Sequence, residues 1–428
     1  MRKTWRFETL SVHAGGAPEP TRRAVVPPGD QAAECACDSA RHGAVLFDLA
    51  VPGNIDTRID NATRRVLEQR IAALEGGVAA LVVASGQAAV TYAVQAIAGA
   101  GDTIVSSTAL DGATYSLFAH TLPQLGITTR FADHGDPASF AALIDSRTKA
   151  VFVASLGNPA GQVTDIAAIA AIAHKRGVPL IVDNTVPSPC LCRPIAHGAD
   201  IVVHSLTQAL GGHGSSIGGA IVDAGKFPWT KHKERFRRLS ESDVRDHGGV
   251  STKALGPAAY IGRARAISLR DTGAAIPPSN AVLILQGIAT LALRVERISE
   301  NALAIARHLR RNEAVEWVRY AGLGDHPDHA LAARYLGGKA SGVLTFGIRG
   351  GRAAGERFLD ALQLFTRRVD IGDARSLATH PASTTHQHLA PDDLARAGVT
   401  EDTVRLSVGI EHIEDLKDDL DQALARAT

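Results

Sequence analysis

The strongest constraint on this chain is an alternation repeated between residues 78 and 223. Short, uninterrupted apolar runs occur as VAALVVA at 78–84, DTIVS at 102–106, AVFVAS ending at Ser155, PLIVD ending at Asp183, ADIVVHS ending at Ser205 and GGAIVD ending at Asp223. Stretches with helical spacing separate them, among them VTYAVQAIA at 90–98 and a helix expected from about Asp165 to Arg176 with Thr164 as its N-cap. A strand with one wet face alternates apolar and polar residues. These runs do not, so both faces of their sheet must be covered. The pattern predicts an α/β fold with a mostly parallel sheet between helices.

Beyond about residue 270 the texture changes to a long helical stretch, Asn280 to Arg311, followed by strands around SGVLTFGI and VRLSVGI. The expected organisation is an N-terminal arm over residues 1–60, extended before about residue 55, a large domain over 61–270, and a smaller C-terminal α+β domain over 271–428. Lys plus Arg number 45 against 44 Asp plus Glu, which gives a net charge of +1 and argues against nucleic-acid or anionic-membrane partners. No run reaches membrane-span or signal-peptide character, so a soluble, cytoplasmic protein is expected. The four cysteines form two C-x-C pairs, Cys35/Cys37 and Cys190/Cys192, and read as reduced thiols; no metal site is expected, because structural zinc wants wider ligand spacing. Only five tyrosines are present, at 92, 115, 260, 320 and 335.

Common nucleotide motifs fail letter by letter. GGHGSSIGG places Ile217 where G-x-G-x-x-G needs its last glycine, and no P-loop occurs. The strand ends suit a phosphorylated pyridine instead. Ser85-Gly86-Gln87 stands between a strand and a helix, where backbone N–H groups form an anion site. Ser205 and Thr207 would bring hydroxyls to the same phosphate. Asp183 ends a third strand, where a carboxylate would keep a pyridine nitrogen protonated. Each residue alone also has a structural explanation as a turn, cap or strand-end group; their joint order favours the ligand.

The chain resembles the cysteine/methionine-metabolism family of pyridoxal-phosphate proteins, and within it the O-acetylhomoserine sulfhydrylases of trans-sulfuration metabolism. The resemblance rests on ETLSVHAG at 8–15, GNIDTRIDNAT at 53–63, LEQRIAALEGG at 67–77, VASGQAA at 83–89, VDNTVPSPCLCRPIAHGADIVVHS at 182–205, GGHGSSIGGAIVD at 211–223, LRDTGAAIPPSNAVLILQG at 269–287, THPASTTH at 379–386 and VRLSVGIEH at 404–412. It implies the fold-type I, aspartate-aminotransferase-like architecture and a tetramer built as a dimer of dimers with sites shared between subunits. It also implies pyridoxal phosphate as cofactor. Carried over by position, Gly86, Gln87, Ser205 and Thr207 would hold the phosphate, Asp183 the ring nitrogen, and Arg58 the neighbour's phosphate. Asn158, Ser383 and Arg405 would contact a small amino-acid ligand.

The departures concern the chemistry itself. The family places its Schiff-base lysine directly after the S-x-T of the strand-end motif, and this chain reads Ser205-Leu206-Thr207-Gln208. A carboxamide forms no imine with the cofactor aldehyde and carries no proton at neutral pH, so Gln208 removes covalent anchoring and the proton shuttle together. The family tyrosine before the x-Arg of the arm is Asp56, and the tyrosine that stacks on the pyridine is Asp111, in LDGATY. A carboxylate at 56 near a phosphate costs about 1 to 4 kcal/mol per charge pair at ~4 Å. Three functions are compatible with these departures. One is a degenerate homologue, a scaffold or partner subunit in a homo-oligomer or with an active paralogue. Another is a transferase or lyase of altered mechanism with a non-covalent cofactor and a histidine, His204 or His213, as proton carrier. The remaining one is an ordinary sulfhydrylase.

Overall fold

The computed structural model describes residues 5–16, 23–47, 53, 56–244, 248–384, 387 and 398–427. Asn54, Ile55, Thr385 and His386 of the motifs above lie outside them. The alternation becomes a seven-stranded sheet built from β1 (Ala79–Val83), β2 (Thr103–Ser107), β3 (Thr128–Ala132), β4 (Thr148–Ala154), β5 (Leu180–Asp183), β6 (Ile201–Ser205) and β7 (Gly219–Asp223), in the order β1-β7-β6-β5-β4-β2-β3. All neighbours pair in parallel except β7, which runs antiparallel to both β1 and β6. β3, which breaks the apolar pattern with Thr128, Thr129 and Arg130, sits at the edge, where one side needs no cover.

Successive strand residues point to opposite faces, and the core divides accordingly. Val82, Val105, Val151, Val153, Val182 and Val202 join one buried cluster, whereas Leu81, Val83, Ile104, Phe152, Ile181 and Ile201 join the other. The fold class read from the sequence is therefore correct. The first cluster also takes in Leu344, Phe346, Val404 and Leu406 of a second sheet. Its five strands are β8 (Val315–Arg319), β9 (Val343–Ile348), β10 (Thr366–Arg367), β11 (Leu377–Thr379) and β12 (Thr403–Ser407), in the order β10-β11-β12-β9-β8.

Three local expectations change. The arm is not wholly extended, because α1 (Phe7–His13) docks on α2 (Ala62–Glu75), where the Arg70 guanidinium donates to Ala14 O at 2.8 Å and Ser11 O at 3.1 Å. The helix Ile166–Lys175 is capped by Asp165, whose Oδ1 accepts the Ala168 N–H at 3.2 Å, while the Thr164 hydroxyl turns back to Ala154 O at 2.5 Å. Either residue type caps well; the sheet claims Thr164. The stretch 280–311 is two helices, Pro278–Ala289 and Leu291–Leu309, with a break at Thr290. Arg294 reaches back to that break, donating to Gly287 O at 2.6 Å, and across to Ala209 O at 2.8 Å. It thereby ties the C-terminal helices to the loop after β6.

Candidate functional site

Carboxyl ends of the parallel strands converge on a cavity of about 310 Å³ lined by Ser85, Gly86, Gln87, Asp111, Asn158, Asp183, His204, Ser205, Thr207 and Gln208, with Val369 and Ile371 arriving from the second sheet's side. Eight of the twelve site residues expected from the sequence are thus brought together. Asp183 ends β5, and its Oδ1 accepts both the Thr185 backbone N–H at 3.0 Å and the Thr185 hydroxyl at 2.6 Å. Burial raises the Asp183 pKa, the Thr185 hydrogen bonds oppose this, and Asp111 pushes it further up. Both hydrogen bonds fall on one carboxylate oxygen, which fixes the carboxylate plane and leaves Oδ2 for a ligand.

The anion cradle forms where the helix α3 (Gly86–Gln95) begins. Ser85 caps it, accepting the Ala88 N–H at 3.1 Å, so the first N–H groups of the helix face the cavity end. Gly86 permits this by touching β6: a methyl group there would lie 2.7 Å from Ser205 Cβ. The Thr207 hydroxyl accepts the Gly218 N–H at 3.2 Å, which joins the loop after β6 to the start of β7. Gln87 gives its side-chain amide to Thr114 Oγ1 at 2.9 Å, leaving the backbone as its contribution to the cradle.

Gln208 lines the cavity, and its Oε1 is buried with no hydrogen-bond partner among the described residues. Among the described residues no lysine lines the cavity, and none of the five tyrosines does. Tyr260 and Tyr320 are core residues whose hydroxyls donate to Ala93 O at 2.8 Å and Ser341 O at 2.9 Å. Asp111 caps the short helix Gly112–Ser116, accepting the Ala113 N–H at 3.0 Å.

Four expected residues stand apart from the cavity lining. Arg405, on β12, is one layer behind: it donates to Asn158 Oδ1 at 3.2 Å and to the backbone oxygens of Val369 and Asp370. Burial pushes its pKa down to about 10, against the pull of Asp111 and Asp370. Ser383 is engaged with His380 Nδ1 at 2.9 Å. Asp56 and Arg58 form an ion pair at 2.9 Å, reinforced by the Arg58 N–H on Asp56 Oδ1 at 2.7 Å, and Arg58 also donates to Arg270 O at 2.6 Å. The Arg58 guanidinium holds the Asp56 carboxyl below its usual range even though burial works the other way.

Beneath the cavity lies a network that the sequence did not disclose. His204 Nε2 meets Glu75 Oε1 at 2.7 Å with neither side chain exposed, and Asn184 Nδ2 donates to the same oxygen at 2.8 Å. His213 is bonded through Nδ1 to Gly211 O at 2.7 Å. Both histidines therefore have structural partners. Thr185, two residues after Asp183, was likewise missed, although a hydroxyl at that spacing is a known local partner for an Asx side chain.

The family model for Cys/Met-metabolism PLP-dependent enzymes matches residues 8–425. The chain belongs to this family. It is 46% identical over 433 residues to O-acetyl-L-homoserine sulfhydrylase of Leptospira meyeri, covering 99% of this chain and 98% of that protein. It is 48% identical over 422 residues to O-acetyl-L-homoserine sulfhydrylase 1 of Thermus thermophilus, covering 98% and 100%. A crystal structure from Campylobacter jejuni, presented as an O-acetylhomoserine (thiol)-lyase containing N′-pyridoxyl-lysine-5′-monophosphate, superposes with a TM-score of 0.95 at 38% identity and covers 98% of this chain and all of that one.

The family cofactor fits part of this site. The glycine-floored cradle at Gly86, with Ser205 and Thr207 beside it, matches a phosphate, and Asp183 with its ligand-facing oxygen matches a protonated ring nitrogen. Directly after Thr207 the cavity is lined by a carboxamide, Gln208, which forms no imine with an aldehyde.

Proposed function

We propose that this O-acetylhomoserine-sulfhydrylase-like chain has left ordinary covalent cofactor chemistry and serves sulfur amino-acid metabolism as a cytoplasmic scaffold or partner subunit. Gln208 carries the proposal: an amide, whose buried Oε1 has no partner among the described residues, lines the cavity at the position that, by the sequence resemblance, would hold the family's lysine. Pyridoxal phosphate, when bound, supplies an aldehyde conjugated to an electron-accepting ring. This chain's residues would bind and orient that group without fixing it. Backbone N–H groups of Gly86 and Gln87 and hydroxyls of Ser205 and Thr207 would hold the phosphate, and Asp183 would hold the ring nitrogen. Neither histidine weighed as a substitute proton carrier is free for that role, since His204 is engaged with Glu75 and His213 with a backbone oxygen.

The arm supports the same view. Asp56 engages Arg58 within the chain, and a guanidinium so engaged is a poorer donor to a neighbour's phosphate. Assembly as a homo-oligomer, a dimer of dimers, or as a hetero-oligomer with a lysine-containing paralogue follows the family's shared-site architecture. The test is borohydride reduction of the purified protein with added pyridoxal phosphate, read by absorbance and by mass of the chain. We expect no covalent pyridoxyl adduct in the cavity, and its appearance with the Gln208→Lys, Asp56→Tyr, Asp111→Tyr triple variant. An adduct within the cavity of the unmodified chain would overturn the proposal.

A further inference from the structure

The end of the sheet opposite the cavity is basic. Because β7 runs antiparallel, its last residue Asp223 pairs with Ile201 at the start of β6, and the chain leaves β7 at the amino ends of the parallel strands. The stretch that follows reads KFPWTKHKERFRR at 226–238. Phe227, Trp229 and Phe236 are buried and pack on one another with ring centroids 4.6 to 5.5 Å apart, which leaves Lys226, Lys231, Lys233 and Arg238 exposed. Two other segments meet this stretch. His232 lies against Gly177, where an added methyl would stand 2.7 Å from its ring, and this brings in the exposed Lys175 and Arg176 at the end of the helix Ile166–Lys175. Arg238 lies over Gly99, four residues before β2 begins.

No carboxylate of the described residues pairs with any of these six cations. The carboxylates on or beside the same stretches are already taken: Glu234 and Glu241 by Arg237, Asp200 by His174, and Asp102 by Lys149. The His232 imidazole registers the resulting field, since burial lowers its pKa and Lys231 and Arg235 lower it further. Lys175 and Arg176 complement the dipole at their helix end, which accounts for cations there. No charge partner among the described residues accounts for the other four. Like charges gathered in this way repel, and a partner that brings carboxylates relieves the repulsion.

We infer that this end of the sheet is a docking surface for an acidic, Asp- and Glu-rich segment of another protein. Three observations favour that class of anion. Single-stranded nucleic acid binds by stacking bases on exposed rings, and the three rings of this stretch are buried. An anionic membrane is held where exposed apolar residues accompany the cations, and residues 174–177 and 226–238 expose no large apolar side chain. Glu234, exposed among the cations, opposes a continuous phosphate backbone but suits a partner of mixed sign. The surface lies at the far end of the strands from the cavity, so the inference goes beyond the function proposed above and does not depend on it.

The test is fluorescence anisotropy on the purified full chain with a fluorescein-labelled peptide of alternating glutamate and serine. A labelled DNA duplex, and vesicles of phosphatidylserine and phosphatidylcholine, serve as the competing classes. We expect the peptide to bind at low ionic strength and to weaken at about 0.15 M salt. Lys231→Glu/Lys233→Glu should weaken it about tenfold or more, and Lys231→Gln/Lys233→Gln by an intermediate factor. Arg307→Glu/Arg311→Glu, at the end of the helix Leu291–Leu309, should leave it within about twofold. Absence of peptide binding, indifference to the reversal at 231 and 233, or an equal loss in the 307 and 311 variant would each overturn the inference. Tighter binding of the duplex or of the vesicles than of the peptide would overturn it as well, by assigning the surface to a different anion.

Discussion

Replacing Gly86 by alanine tests whether the cradle depends on the close approach of α3 to β6. The added methyl would stand 2.7 Å from Ser205 Cβ and 3.0 Å from Ser205 Cα. Carbon atoms prefer about 3.5 Å or more, so the first turn must retreat by roughly 0.5 to 0.8 Å from a strand whose backbone is fixed by its neighbours. Overpacking of this kind costs about 1–3 kcal/mol, and the entropy that alanine removes from the unfolded chain offsets roughly 0.4–1 kcal/mol of it. A net loss of about 1–2 kcal/mol is expected. Two other glycines bracket the effect. At Gly112 nothing lies within 4 Å of an added methyl, so Gly112→Ala should be neutral or slightly stabilising. At Gly219 the methyl would lie 2.0 Å from Ser85 O and 2.4 Å from Ser85 C, backbone atoms that cannot swing aside, so Gly219→Ala should exceed about 4 kcal/mol. The assay is urea unfolding of the three variants alongside pyridoxal phosphate titration. Loss of one charge-assisted hydrogen bond, ~1.5–3 kcal/mol, makes Gly86→Ala roughly ten- to hundredfold weaker for the phosphate. Equal unfolding midpoints for Gly86→Ala and Gly112→Ala would refute the reasoning.

Two further outcomes follow from buried charge. His204→Ala should cost about 3–5 kcal/mol, because it leaves the unexposed Glu75 carboxylate without its imidazole; the double variant with Glu75→Gln should recover part of that, and a double no more stable than the single would contradict the pairing. Asp223 has its pKa raised by burial to about 7 from an unfolded value of 3.8, so its contribution is fully present below pH 3.8 and is lost as the pH rises through 7. Asp223→Asn should therefore flatten the fall of the thermal midpoint between pH 4 and 7, and an unchanged slope would count against the assignment.

The parts of the fold visible in the sequence were those set by burial. Strands β1, β2 and β4 to β7 are near-continuous apolar runs because helices cover both faces, and their polar ends mark the cavity. Asp183, Ser205 and Thr207 were readable for that reason. The reversed direction of β7 was not, since an apolar run buried on both faces looks the same in either direction. The break at Thr290 was equally hidden: it depends on Arg294 reaching carbonyls of Ala209 and Gly287, one of them 85 residues away. Likewise the Glu75–His204 pair spans 129 residues, and no local spacing announces it. The position of Arg405 behind Asn158 comes from the second sheet meeting the first, which pattern alone does not orient.

Strand β7 runs against its neighbours, and this brings Gly219 under the Ser85 carbonyl while Gly86 rests on Ser205. Three stretches far apart in sequence are thereby clamped together through main-chain atoms, with two glycines as the points of contact. The grip on an anion is consequently a property of the frame. On the function proposed above, reactivity would instead hang on individual side chains that project from that frame at 111 and 208. Exchanging those side chains leaves the clamp unstrained, so on that proposal the frame would go on recognising an anion whatever chemistry the side chains at its edge support.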